Sequence, residues 1–357
     1  MLNTIDSHTF LSNASIASLF KSIFSTVEIN YRPKETTNIT SKEIDETVKS
    51  NIRSGDDLAT EIQQLFIDIQ ANDANDLQIW VDNHPNTAPP TNITSTRIKR
   101  FKSAFSSIFS NLNYSRIATE GNKKKVYFVK GTQDIDISAL SSGEKQIVFR
   151  GAFLLRNQQS IKGCTVLIDE PEISLHPVWQ DKIFDYYRNL FVDASNQPTS
   201  QIFMATHSQY VLKSGLKHGN NTLIILFDHN GTNVNVRKIT APLVLPTVTS
   251  AELNYVAFDI LSNDYHIELY GNLQNKIAHL NGNPECSVKQ CDTYITQQSE
   301  YNISTHRKPS SHTTRHGTTN YETLCTYIRN AIDHPDPSRT FTEAELRTSI
   351  ELLIKLC

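Results

Sequence analysis

The sequence predicts an α/β fold: a parallel sheet flanked by helices, with helical insertions before it and a mainly helical region after it. Three observations carry this. The runs at 165–168, 201–205 and 223–227 are short, apolar and continuous, the pattern of strands buried on both faces of a parallel sheet. Helical periodicity alternates with them from residue 136 to about 240. Chemistry-bearing residues follow the first two runs directly, Asp169-Glu170 after one and Thr206-His207-Ser208 after the other. Those are the carboxyl ends of strands, where open α/β sheets bind ligands.

Composition bounds the rest. A chain of 357 residues has room for two to three domains of roughly 150 residues each. The net charge of −3 excludes a polycation that holds nucleic acid by its bulk field and leaves only local patches. Five cysteines without paired spacing fit reduced thiols better than a disulfide framework. No apolar run reaches the roughly eighteen residues of a membrane span, and residues 1–20 lack the pattern of a secretory signal. The expected location is the cytoplasm, with no membrane partner.

In chain order, a helix is expected over 15–24 and a strand over 27–31. A helix over 57–71 has Leu58, Ile62, Leu65, Phe66 and Ile69 at helical spacing. Pro85, Pro89 and Pro90 mark 82–96 as a linker. A helix over 96–112 puts Ile98, Phe101, Phe105 and Phe109 on one face and Arg97, Lys99, Arg100 and Lys102 mostly on the other. A strand pair at 114–118 and 126–130 is joined by Gly121-Asn122-Lys123-Lys124-Lys125. Helices are expected over 250–273, 321–334 and 342–356, with a polar loop over 282–320. These elements give three regions: an arm of helices and a hairpin at 1–135, a nucleotide-handling core at 136–249, and a helical C-terminal region at 250–357.

Three segments of the core carry the chemistry. Leu140-Ser141-Ser142-Gly143-Glu144-Lys145-Gln146 precedes a helix. A helix start of this kind offers free N–H groups to phosphate, although Ser141 and Glu144 also have the spacing of a plain capping box. Asp169 ends an apolar strand, where it could hold Mg²⁺, and Glu170 could polarise a water for attack. Each has an ordinary alternative, a solvated acidic turn. His207 could reach a phosphate from the next strand end or be structural. The joint order of the three segments is what points to phosphoryl chemistry.

These segments resemble the ABC-type ATPases. Residues 140–146 resemble their signature motif, 166–170 their Walker B strand with catalytic glutamate, Ser174-Leu175-His176-Pro177 their D-loop and Thr206-His207-Ser208 their switch histidine. The wording of the motifs resembles the RecF-, SMC- and OLD-like bacterial AAA family ATPases, many of which act in phage defence. The resemblance spans roughly residues 94–260. It implies a P-loop NTPase fold of the ABC type, represented by its signature and Walker B portion, with ATP and Mg²⁺ as ligands. Residue by residue, it implies Asp169 on Mg²⁺, Glu170 as general base and His207 as γ-phosphate sensor. Ser141, Ser142, Gly143 and Glu144 would serve nucleotide held by another subunit. One departure is plain: no Gly-x-x-x-x-Gly-Lys-Ser/Thr occurs in the sequence. The expectation is a chain that lacks the N-terminal lobe, or whose lobe comes from a separate polypeptide, so that a homodimer or partner head supplies the phosphate cradle.

The C-terminal region holds Arg329-Asn330-Ala331-Ile332-Asp333-His334. An Arg and a His at this spacing could stabilise a phosphate and move a proton, and they resemble the Arg-x4-6-His motif of HEPN ribonucleases. The plain alternative is a helix end, with His334 on the dipole and Pro335 as the stop. Cys286 and Cys291 with His306, His312 and His316 match no familiar zinc spacing. The favoured expectation is a dimerising ATPase head, the motor or sensor of an antiviral system with an effector protein. The alternatives are an ATPase-gated ribonuclease using Arg329, Asn330 and His334, and a non-catalytic nucleotide-sensing scaffold. Basic patches at 97–102, 123–125 and 306–316 leave room for DNA or RNA.

Overall fold

The computed structural model describes residues 22–27, 32–45, 52–53, 55, 57–90, 93, 96–158, 162–193, 195–230, 233–314 and 317–357. The chain divides into two compact units, 1–214 and 215–357. No helix among the described residues is long and apolar enough to cross a membrane.

In the first unit, strand β1 (Ser22–Ser25) and the two-residue β2 (Ile52–Arg53) come first. Helix α1 runs over Leu58–Asn83, twelve residues beyond the expected end at 71 and up to the prolines at 85, 89 and 90. Its first half buries Leu58, Ile62, Leu65, Phe66 and Ile69 as the spacing predicts. Helix α2 (Thr96–Ile108) packs Phe101 and Phe105 edge-on against Phe66, with ring centroids 5.2 and 6.3 Å apart. It stops short of 112 because Leu112 already belongs to a strand. Strands β3 (Leu112–Glu120), β4 (Lys123–Lys130) and β5 (Gln133–Asp136) form an antiparallel sheet. The turn between β3 and β4 is only Gly121-Asn122, with Gly121 at φ +63°, so Lys123, Lys124 and Lys125 lie in a strand and not in a connecting loop. Then come α3 (Ser142–Leu155), β6 (Thr165–Asp169), α4 (Pro177–Asn189), β7 (Gln201–Ala205) and α5 (Gln209–Leu216).

The parallel sheet has the order β2-β1-β6-β7. Ser22, Ile23, Phe24 and Ser25 pair with Thr165, Val166, Leu167 and Ile168, which corrects the expected helix at its C-terminal end. Ile23 and Phe24 fit a helical stripe, but pairing to the buried β6 wins over local spacing. Residues 15–21 of that expected helix, and residues 28–31 of the strand expected next, lie outside the described residues. Val166 and Ile168 of β6 are buried, each worth about 1.5–3 kcal/mol relative to exposure. One hydrophobic cluster joins residues from Ile23 to Val211. The division expected at 135 therefore falls inside a shared core.

In the second unit, β8 (Ile224–Asn230) pairs antiparallel with β9 (Asn233–Ile239). The apolar run expected in the parallel sheet is thus half of a separate hairpin. The helix expected over 250–273 is two helices, α6 (Ser250–Phe258) and α7 (Asn263–Leu280). The break comes at Asp259, left-handed at φ +55°, and Ser262 caps the second helix through Tyr265 N–H. The described residues of the polar stretch 282–320 form elements of their own: α8 (Val288–Thr296), one helical turn at Ile303–His306, and the paired strands β10 (Arg307–Thr314) and β11 (Gly317–Thr323). Asp292 is buried and accepts from Glu322 N–H, Thr323 N–H and Thr323 Oγ1, which anchors this hairpin. Helices α9 (Leu324–Asp333) and α10 (Glu343–Leu356) complete the unit. Its core is a second cluster built on Tyr265, Leu269, Leu273, Ile328, Ile350 and Leu353.

Candidate active site

Strands β6 and β7 run in parallel and in register, with Asp169 opposite Ala205. Parallel pairing brings their carboxyl ends together, so residues 169–175 and 206–208 form one rim. Glu170 N–H donates to Ala205 O at 2.9 Å. Glu170 itself sits at φ +40°, a left-handed conformation that costs an L-residue roughly 1–3 kcal/mol. Its carboxylate Oε1 lies 3.8 Å from His207 Nε2, with the Glu170 side chain 33% and the His207 side chain 85% exposed. The two functional ends therefore face solvent together.

Arg150, a residue the motif reading did not single out, fixes this strained turn. It is completely buried on α3. Its guanidinium donates to Glu170 O at 3.0 Å and to Asp169 O. It also donates to Thr26 O at 3.1 Å, Ser25 O at 3.3 Å and Ser25 Oγ at 2.9 Å on the neighbouring strand. One cation thus satisfies the carbonyls at the ends of β1 and β6 and ties both to α3. Its signal in the sequence is a lone Arg in the apolar run Ile147-Val148-Phe149-Arg150-Gly151-Ala152-Phe153.

Glu172, also missed, fixes the other side. Its Oε1 accepts from Thr206 Oγ1 at 2.7 Å and from His207 N–H at 2.8 Å. Thr206 Oγ1 in turn accepts from Ser208 N–H at 3.0 Å, and Ser208 Oγ donates to Gln180 Oε1 at 2.9 Å. The histidine loop is therefore held by its backbone while its imidazole stays uncommitted. His176 caps α4, with Nδ1 accepting from Val178 N–H at 3.3 Å and Pro177 in the first turn, a position Pro favours. Ser174, just before it, is left-handed at φ +60°.

The start of α3 is a complete capping box. Ser141 Oγ accepts from Glu144 N–H at 3.3 Å, and Glu144 Oε2 accepts from Ser141 N–H at 2.8 Å. Lys130 bonds the other oxygen of Glu144 at 2.7 Å. Burial pushes the Glu144 carboxyl up, but the bonds from Lys130 and Ser141 outweigh it and leave it below its ordinary value. Gly143 is buried, and a Cβ there would come within 2.8 Å of Ser174 O and 3.3 Å of Trp179. It is glycine because α3 lies against the 174–175 turn. Ser141 and Ser142 are both exposed at the helix start, and of the two Ser141 Oγ is spent on the cap.

The donor set fits a magnesium ion. Asp169 and Glu170 are adjacent carboxylates, and among the described residues no Lys or Arg neutralises either one. Mg²⁺ is held by one or two carboxylates together with phosphate oxygens. Among the described residues no group of three or more His, Cys, Asp or Glu comes together.

Elsewhere the expected sites are committed locally. Arg329 donates to Asp333 at 2.6 Å and to Asn330 Oδ1 at 3.0 Å, both on its own helix. Asn330 is buried. His334 ends α9 and stacks on His312, with centroids 5.1 Å apart and planes at 19°. Cys291 is buried in the core, and burial pushes its thiol well up; His316 lies outside the described residues. On the basic face at 97–102, Arg97 is paired with Glu43, Asp73 and Asp76 and Arg100 with Asp45. Lys123 and Lys125 pair with Glu35 and Glu120.

No significant match to this chain is found among curated proteins. Among solved structures it is similar to a chain from work on ATP-driven dimerization and DNA-stimulated activation of SMC ATPases. Identity there is 16% over 40% of this chain and 82% of that one, with a TM-score of 0.31. It is also similar to the Smc head domain with an extended coiled coil bound to the C-terminal domain of ScpA, from Pyrococcus furiosus. That match has 15% identity over 40% of this chain and 34% of that one, at a TM-score of 0.30. For the SmcHead bound to the C-winged helix domain of ScpA the values are 16%, 40%, 42% and 0.30. Residues 39–213 match the family model described as "AAA domain, putative AbiEii toxin, Type IV TA system". That span contains the helix-start serines, the Asp169-Glu170 strand end and the switch-type histidine in order, and over it the chain is similar to this AAA domain family.

Proposed function

We propose that the chain hydrolyses ATP as one half of a composite site, acting as the motor or sensor subunit of a cytoplasmic bacterial antiviral system. The observation that carries this reading is the shared rim of β6 and β7, where Asp169, Glu170 and His207 stay free while Arg150 and Glu172 absorb the structural bonding. In this mechanism Asp169 would hold Mg²⁺, and the ion would supply charge neutralisation at the phosphates. Glu170 accepts a proton from water as the water oxygen attacks the γ-phosphorus and the bond to ADP breaks. His207 donates to a γ-phosphate oxygen. Ser142, at the exposed start of α3, turns toward nucleotide bound by the opposing head of a dimer. A phosphate cradle, which residues 1–357 do not contain as a Gly-x-x-x-x-Gly-Lys-Ser/Thr loop, completes the site. The defence role is supported by the toxin and type IV toxin–antitoxin description of the matched family and by the wording of the motifs.

Glu170→Gln tests this in the protein purified with its natural partners. Turnover is expected to fall by about 100-fold or more while ATP stays bound and dimers accumulate. Turnover equal to that of the wild type would remove the assignment.

A second reading rests on the His312–His334 stack, which brings two imidazoles together in the second unit with ring centroids 5.1 Å apart. Such a pair can act as acid and base in RNA cleavage by 2′-hydroxyl attack. His334→Ala should then abolish cleavage of a single-stranded RNA probe and leave ATP turnover intact. Unchanged cleavage would discard it.

A further inference from the structure

We infer that the second unit holds a binding cleft for a small organic ammonium ion with an apolar body. The cleft lies wholly within residues 228–354, outside the 39–213 span of the family match.

The first observation is the cavity. Its volume is about 640 Å³, within the range of small-molecule sites. Its walls are Asp228 on β8, Arg237 on β9, the end of α6 from Tyr255 to Asp259, Tyr265 on α7 and Ile354 on α10. Between the charged groups the surface is apolar and aromatic, with Val244 and Phe258 beside the two tyrosines. The Tyr255 and Tyr265 rings have centroids 5.3 Å apart and planes at 36°.

The second observation is a pair of buried polar atoms that the fold leaves unbonded. Tyr265 is 0% exposed, and its hydroxyl has no partner among the described residues. Burial pushes that hydroxyl's pKa up, and the nearby Glu252 carboxylate pushes it further. Glu252 is also completely buried. Its Oε1 accepts from the N–H groups of Val244 and Leu245, each at 2.9 Å. Its Oε2 has no partner among the described residues. Buried polar groups are ordinarily bonded. Two acceptors left over near one wall suit a ligand that brings several N–H donors, as an ammonium does.

The third observation is charge. The end of α6 carries the negative pole of the helix dipole. Arg237 already donates to Val256 O at 3.2 Å, so this helix end takes a cation. Asp228 pairs with Arg237, and Asp259 pairs with Arg347. Among the described residues no Lys or Arg pairs with Glu252, so the cleft calls for one more positive charge. Aromatic faces attract organic cations, and the Val244, Phe258 and Ile354 surface suits an apolar body. An anion would meet both the Glu252 carboxylate and the negative helix end.

Calorimetric titration of the full 357-residue chain tests this with three probes: phenethylamine, 2-phenylethanol and phenylacetate. They share one apolar body and differ in charge. Phenethylamine should bind saturably and at least about tenfold tighter than the alcohol, and phenylacetate should not bind. Tyr265→Phe removes only the hydroxyl and should weaken phenethylamine about tenfold. Glu252→Gln keeps an acceptor for the Val244 and Leu245 N–H groups and removes the charge. It should bring the amine down to the affinity of the alcohol. Tyr265→Phe keeps the ring in the core, so it carries the test if Glu252→Gln does not fold. Absence of saturable amine binding, equal binding of the alcohol, or unchanged amine affinity in either folded variant would overturn the inference.

Discussion

Two places in this molecule look alike in sequence, an Arg near a carboxylate and a His in each, yet they are built in opposite ways. At the β6–β7 rim, Arg150 reaches across to Ser25 and Thr26, 125 and 124 residues away. It satisfies four backbone carbonyls and the Ser25 hydroxyl, and the carboxylates and His207 remain open. At the end of α9, Arg329 closes on Asp333 four residues on and on Asn330 beside it. There the charged groups are spent on their own helix. The difference shows that chemistry is read from which groups the fold leaves uncommitted, and that long-range support is what leaves them so.

The largest effect expected from this contrast is on stability. Arg150→Met strands the carbonyls of Ser25, Thr26, Asp169 and Glu170 in the interior and should cost at least about 3 kcal/mol. Arg329→Met loses a partly exposed pair and should change stability by less than about 1 kcal/mol. Thermal melts of the two variants check this, and equal losses would erase the distinction.

Glu170→Gln comes next, with turnover lost and the fold kept, since its side chain makes no structural bond. His334→Ala should leave turnover unchanged.

The last effect, nil at neutral pH and growing only on acidification, is a pH dependence. His266 is buried, with Nε2 2.8 Å from Ser349 Oγ, and burial lowers its pKa from 6.5 to about 3. Between those values the unfolded chain binds the proton and the folded one does not. Stability contributed by the neutral ring is thus complete above pH 6.5 and falls as pH drops toward 3, by up to about 1.4 kcal/mol per pH unit. Melts of the wild type and His266→Gln from pH 7 downward, followed by a probe in the second unit, should converge as the wild type weakens. A parallel decline of both would contradict it.

Much of the rim was legible in the sequence. Asp169, Glu170 and His207 announce themselves because each follows a continuous apolar run, and such runs keep their identity as strands whatever surrounds them. Arg150 and Glu172 were not legible as positioning residues, because their roles depend on partners distant in sequence. Strand β1 was misread for a related reason. Ile23 and Phe24 satisfy a helical stripe locally, and only the presence of β6 makes them a strand. The 282–320 stretch reads as loop because its hairpin is polar, and its anchor is a single buried carboxylate, Asp292. At the start of α3 the structure shows the capping box that the spacing allows: Ser141 and Glu144 are consumed by the cap, and Ser142 is left exposed.

The central claim is that Glu170 acts on water at an ATP γ-phosphate. Single-turnover hydrolysis of radiolabelled ATP, by the protein purified with its natural partners, tests it most directly when wild type and Glu170→Gln are compared. The account predicts phosphate release from the wild type and at least about a 100-fold slower release from the variant at equal ATP occupancy. Release at the same rate from both would contradict it.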